Sequence, residues 1–158
     1  MKLNEIATQK EIVLVCGNLC SGKGIYCQQK YPDYKHIVVS TIVKKLTGMQ
    51  TRSELSTTED LDREIVHALI NEIGQYDKVI IDGIRQPSIL HALESHFGDQ
   101  IKDVVWLDVP EEKRRTYFKT RASAKDDLDF DTAHQTDKNL GIEDVEHYIR
   151  NNHRVEKF

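Results

Sequence analysis

Glu11-Ile12-Val13-Leu14-Val15-Cys16-Gly17-Asn18-Leu19-Cys20-Ser21-Gly22-Lys23-Gly24 joins a short apolar run to the spacing G-x-x-x-x-G-K. The run is rich in Val and Ile and continuous rather than alternating, the pattern of a strand covered on both faces. Glycines at both ends of the following turn let the backbone curl so that successive amides point inward. A helix opening at Gly22 presents its positive end to the same place. Together they predict an anion-binding loop holding nucleotide phosphates with Gly17, Asn18, Leu19, Cys20, Ser21, Gly22, Lys23, Gly24 and Ile25. Lys23 is expected to reach the terminal phosphates.

Three further apolar runs follow: His36 to Ser40, Lys78 to Asp82 and Asp103 to Val109. Helical patterns lie between them. One runs from about Thr58 to Ile73, with Leu61, Ile65, Leu69 and Ile73 on one face. Ser56-Thr57-Thr58-Glu59 fits a capping box at its start, and Gly74 is expected to turn left-handed beyond its end. A second helix follows Pro87, with Ile89, Leu90, Leu93 and Phe97 inward, and a third follows Pro110. Strands alternating with helices imply a three-layer α/β domain around a parallel sheet.

The 158 residues are 39% hydrophobic and 30% charged, which suits one soluble globular domain and excludes disordered and disulfide-scaffold classes. With no repeat or linker, residues 1–158 read as a single domain. Such a length buries roughly 70% of the unfolded surface, enough for a core without staples. No apolar run approaches the ~20 residues that span a bilayer, and Met1 to Lys10 lacks an export signal, so a cytoplasmic protein is expected. Cys16, Cys20 and Cys27 lack C-x-x-C spacing and read as reduced thiols, while the seven histidines show no ligand spacing. The formal charge of −4 argues weakly against bulk attraction to a polyanion.

Asp82 ends the Lys78 run, placing a carboxylate at the carboxyl edge of a strand, where ligands of open parallel sheets bind. There it can hold the water shell of Mg²⁺ or accept a proton from an attacking hydroxyl. That role carries weight because Gly24 and Ile25 stand where the usual metal-binding hydroxyl would follow the lysine. Arg85 offers a planar fork for a phosphate. Arg114 and Arg121, seven residues apart, are expected on one face of the helix after Pro110, where Arg121 would neutralise charge on a transferred phosphoryl group. The alternative for this cluster, which includes adjacent Arg115, is a solvated helix face paired with Glu111 and Glu112. Asp126, Asp127, Asp129, Asp131 and Asp137 crowd the segment of about 123–140, which reads as a mobile, solvated, lid-like excursion.

These residues resemble the small P-loop kinases around adenylate kinase and dephospho-coenzyme A kinase. Gly17 to Gly24 is similar to their G-x-x-G-S-G-K-G loop, and Ser40 with Thr41 resembles the serine ending their second strand. Ile81-Asp82-Gly83 with Arg85 resembles their D-G-x-R element. Asp108-Val109-Pro110 with Arg114 and Arg121 resembles the strand and arginine helix before their lid. Asp137 with Leu140-Gly141-Ile142, then Tyr148-Ile149 and Asn151, resembles their closing segment and last strand. The resemblance implies a five-stranded parallel sheet with helices on both faces and a short lid. It implies ATP with Mg²⁺ as donor, Lys23, Asp82 and Arg121 as catalytic residues, Arg114 on the cofactor, and a nucleotide-like acceptor. Ser40, Lys44, Arg52 and Arg85 would contact that acceptor.

Lys44-Lys45 stands where adenylate kinase has an aspartate and an arginine, so the acceptor does not carry over. Ser40 to Lys44, Arg52, Thr57 to Leu61 and Asp82 to Gln86 are also similar to phage kinases acting on 5-hydroxymethyluridine in DNA. Under that reading Lys44, Lys45 and Arg52 would touch the DNA backbone. Ile25 leaves a third alternative, a nucleotide-binding regulatory domain without efficient chemistry.

Overall fold

The computed structural model describes residues 10–49, 61–121 and 128–158. Along them run β1 (Glu11–Gly17), α1 (Lys23–Lys30), β2 (Lys35–Val38), α2 (Val39–Thr47), α3 (Asp62–Ile73), β3 (Lys78–Asp82), α4 (Pro87–Phe97), β4 (Ile101–Asp108), α5 (Glu111–Thr120), α6 (Phe130–Leu140), α7 (Ile142–Asn152) and β5 (Arg154–Lys157). The strands form one sheet in the order β2-β3-β1-β4-β5, with every pairing parallel.

The continuous apolar runs make sense in this sheet because alternate residues feed opposite cores. Ile12, Leu14, Cys16, Val79, Ile81, Val104 and Trp106 join Ile42 of α2, Ile65 and Leu69 of α3, Leu90 and Leu93 of α4 and Ile149 of α7. Val13, Val15, Ile80, Val105 and Leu107 join Tyr26 and Cys27 of α1 on the other face. Trp106 is 1% exposed and is core, as its place in a strand implies. The expected inward residues of α4 are all buried, and Pro87 occupies its first turn. Ile65, Leu69 and Ile73 of α3 are buried, with Leu61 packed beside them. The Ser56 to Glu59 cap lies outside the described residues.

Several expectations are corrected. Ser40 does not end a strand: β2 stops at Val38, and Ser40 stands in the first turn of α2. Gly74 is right-handed, at φ −60 and ψ −18, because the chain leaves α3 through tight turns, with Gln75 N bonded to Glu72 O and Tyr76 N to Ile73 O. The helix α5 ends at Thr120, so Arg121 is extended beyond it and does not share a helical face with Arg114.

The acidic segment is not a wholly solvated excursion. Asp129 caps α6 by accepting from Thr132 N, and Phe130, Ala133, Asp137 and Leu140 make its buried stripe. Phe130 and Ala133 pack on Leu19 and Cys20 of the loop after β1. Tyr148 to Asn151 is helical, since Ile142, Val145 and Ile149 form an apolar face, and the last strand is Arg154–Lys157 instead.

Gly141 separates α6 from α7 at φ +111, and its amide bonds to Asp137 O and Lys138 O. A Cβ there would lie 2.7 Å from Pro87 Cδ. Gly141→Ala is therefore expected to destabilise the protein by about 1–3 kcal/mol, from left-handed strain plus overpacking. Denaturant unfolding with an unchanged slope would show it. Stability equal to wild type would mean that the α6–α7 corner is misdescribed.

Candidate active site

The carboxyl ends of β1 and β3 and the start of α1 enclose a cleft of about 380 Å³. Gly17, Leu19, Cys20, Ser21, Gly22, Lys23, Gly24 and Ile25 line it, with Ser40, Asp82, Gly83, Arg85 and Arg121. Widely separated parts of the sequence thus converge where an open parallel sheet binds ligands.

The loop has the shape an anion needs. Ser21 N bonds back to Asn18 O at 3.1 Å, Cys20 takes φ +61, and Gly22 caps α1 from φ +79. Cys20 is the one non-glycine residue with positive φ among the described residues, a strained geometry of the kind found where a ligand is gripped. Among the described residues no side chain caps α1, so its first amides are offered to a ligand. The Ser21 hydroxyl is buried without a hydrogen-bond partner among the described residues. An unsatisfied buried hydroxyl costs about 1–3 kcal/mol, and a phosphate oxygen would satisfy it. Gly17 must be glycine, because a Cβ would collide with that hydroxyl. Asn18 does not line the cleft but closes the turn through its carbonyl.

Lys23 lines the cleft, with Nζ 3.5 Å from Gly17 O. Asp82, 6% exposed, accepts at Oδ2 from His36 Nε2 at 2.8 Å. That pairing leaves its other oxygen for a metal's water shell or a proton. Cys16 and Cys27 lie close by, and none of the three cysteines is in a disulfide. Burial pushes the Cys16 thiol up to about 12 and raises the Cys27 thiol from its ordinary value as well.

Arg114 braces the loop from behind and does not line the cleft. It is 5% exposed and donates from Nη1 to Leu19 O at 3.3 Å and from Nε to Val109 O at 3.1 Å. Burial lowers its pKa from the ordinary guanidinium value. Arg121 lies at the cleft with its guanidinium carbon 5.3 Å from the Phe118 ring centroid. Arg115 pairs with Glu111 and Asp131 on the surface.

On the acceptor side, Ser40 and Arg85 line the cleft, whereas Lys44 sits in the last turn of α2, where a cation complements the helix dipole. Arg52 lies outside the described residues. Arg85 Nη1 donates to Asp137 Oδ1 at 2.9 Å in an ion pair whose side chains are 15% and 4% exposed. Sequence reasoning singled out neither His36 nor the tie from Asp137 to Arg85, and it missed Gln28, Val38 and Tyr117 on the cleft wall. Asp137 had a readable signal: spaced between Phe130, Ala133 and Leu140, it occupies a core position that demands a buried cation.

No protein-family model matches the sequence, and no curated protein matches it. Solved structures do. A shikimate kinase from Acinetobacter baumannii in complex with shikimate is 13% identical with a TM-score of 0.64, covering 98% of this chain and 87% of that one. A shikimate kinase from Bacteroides thetaiotaomicron is 14% identical with a TM-score of 0.62, covering 93% and 86%. A gluconokinase from Sinorhizobium meliloti is 17% identical with a TM-score of 0.59, covering 95% and 82%. The chain has the P-loop kinase fold, a five-stranded parallel sheet with helices on both faces. At these identities the likeness supports the fold alone and does not single out the adenylate kinase and dephospho-coenzyme A kinase type or the phage kinases. Among the described residues, no helix is long and apolar enough to cross a membrane.

Proposed function

We propose that this protein is an ATP-dependent phosphotransferase that moves the γ-phosphoryl group to a hydroxyl of a small polar acceptor. The observation that carries the donor half is the buried, partnerless Ser21 hydroxyl inside a loop whose helix-start amides lack side-chain caps. Loop amides and Lys23 would hold the β- and γ-phosphates. Mg²⁺ fits the donor set, since Asp82 keeps one oxygen for its water shell, and when bound it supplies charge neutralisation between phosphates. Asp82 is also placed to accept the proton of an incoming hydroxyl, and Arg121 to spread charge on the transferred group.

The acceptor class follows from Arg85. Its charge is already neutralised by buried Asp137, so a phosphate-bearing acceptor would have to displace a carboxylate, whereas a neutral hydroxyl acceptor would not. Shikimate kinase and gluconokinase, by their names, act on small non-nucleotide molecules. The second reading is a nucleotide-like acceptor, favoured by Ser40 and Arg85 standing together on the cleft wall. Its phosphate would take Arg85 from Asp137.

Transfer of labelled γ-phosphate from ATP to a panel of polyols, sugar acids, nucleoside monophosphates, dephospho-coenzyme A and hydroxymethylated DNA tests the proposal. A labelled small hydroxy compound is the expected product, and labelled nucleoside diphosphate alone would favour the second reading. No transfer to any acceptor and no ATP turnover would leave the regulatory domain. Once the acceptor is known, Arg121→Ala is expected to lower kcat by about 10³-fold, because an arginine on the transferred group acts mainly in the transition state. Initial rates at saturating ATP measure it, and an unchanged kcat would remove Arg121 from the machinery.

A further inference from the structure

We propose that Cys27, His36 and Asp82 form a binding site for a thiophilic divalent cation of the zinc type, and that filling it withdraws Asp82 from the cleft. The three residues come from α1, β2 and β3, and one ligand atom from each lies within 4.8 Å of the others. Asp82 and His36 are already in contact, with Oδ2 and Nε2 2.8 Å apart. Around tetrahedral zinc, sulfur, nitrogen and oxygen ligands stand roughly 3.3–3.7 Å apart. The His36–Asp82 pair at 2.8 Å is tighter than that and no pair exceeds 4.8 Å, so side-chain shifts of about 1 Å close the site.

The donor set discriminates between metals. Magnesium is hard, prefers oxygen and keeps its waters, and would use Asp82 alone. A thiol that loses its proton to solvent on binding, an imidazole and a carboxylate instead suit zinc. The resulting thiolate and carboxylate bring two negative charges against the Lys23 ammonium nearby. Cys27 is 1% exposed and does not line the cleft, whereas Asp82 does, so the site lies beneath the cleft wall and shares Asp82 with it. Three protein ligands leave a fourth tetrahedral position for water, unlike the four protein ligands of a structural zinc site.

The test uses the full chain stripped of metal and titrated with Zn²⁺ against a chromophoric chelator, and separately with Co²⁺ as a spectroscopic substitute. One equivalent of Zn²⁺ should bind and resist excess Mg²⁺, and Co²⁺ should give a thiolate-to-metal charge-transfer band. Cys27→Ala should abolish the band and weaken zinc binding by at least about 100-fold, and His36→Asn should weaken it by at least about 10-fold. His36→Asn serves on its own if Cys27→Ala does not fold by circular dichroism. Failure of wild type to hold one equivalent, or wild-type affinity in both variants, would overturn the site. The inhibitory consequence rests on the phosphotransferase reading: Zn²⁺ should suppress turnover and a chelator restore it. Binding without inhibition would refute the withdrawal of Asp82 and leave the donor site standing.

Discussion

Lys23→Ala should lose about 10³-fold or more of its phosphoryl-transfer rate while keeping its fold. The ammonium is the cation placed beside the loop amides, and its contact with the protein is a long one, 3.5 Å to Gly17 O. Preorganised charge at the transferring group supplies most of the catalysis in such reactions, and removing a single oriented donor costs about 10² to 10³ in rate. Folding loses little, because Lys23 is half-buried and makes no ion pair among the described residues. The thermal midpoint should therefore move by no more than about 2–4 °C, the shift from roughly 1 kcal/mol in a domain of this size. Steady-state rates and melting curves on one preparation separate the two effects. A variant retaining a tenth or more of wild-type turnover would contradict the role given to Lys23.

The largest effect on stability is expected from Asp137→Ala. Asp137 is 3% exposed and pairs with Arg85 at 2.9 Å, so its removal leaves a largely buried guanidinium on the cleft wall without its counter-charge. Breaking such a pair from one side costs about 3–5 kcal/mol, or roughly 6–20 °C in melting midpoint at this chain length. The sign of the double variant is informative. Arg85→Met with Asp137→Leu removes both charges together and should recover most of the loss, since an apolar pair of similar volume is often no worse than a buried ion pair. Melting midpoints of the three variants decide it. A single variant as stable as wild type would mean that Arg85 finds another anion. The contact also links the cleft wall to α6, so acceptor binding and the stability of α6 should be coupled.

Much of the fold was legible because it rests on local patterns that tertiary context reinforces. Lys78–Asp82 runs straight to its carboxylate, Pro87 opens α4, and Gly17 to Lys23 follows β1 without interruption. What escaped reading depends on long-range partners. Ser123 to Asn139 looks solvated by its aspartates, yet Phe130, Ala133, Asp137 and Leu140 recur at helical spacing, and Leu19 and Cys20 complete the cover that makes a helix worthwhile there. Arg85 was expected to face a ligand because its planar fork suits a phosphate, and its partner Asp137 arrives from 52 residues downstream. The helical spacing of Arg114 and Arg121 suggested one face, but α5 ends at Thr120, which separates them into a brace and a cleft residue. His36 carries no signal in sequence, since its contact with Asp82 arises from the pairing of β2 with β3.

The central claim is that the loop from Gly17 to Lys23 grips nucleotide phosphates. Its most direct test is a titration of ¹⁵N-labelled protein with the magnesium complex of a nonhydrolysable ATP analogue, following backbone amide resonances. The account predicts large, saturable shifts at Ser21, Gly22 and Lys23, and none of that size when adenosine replaces the triphosphate. Saturable binding of the analogue with those amides unmoved would contradict it.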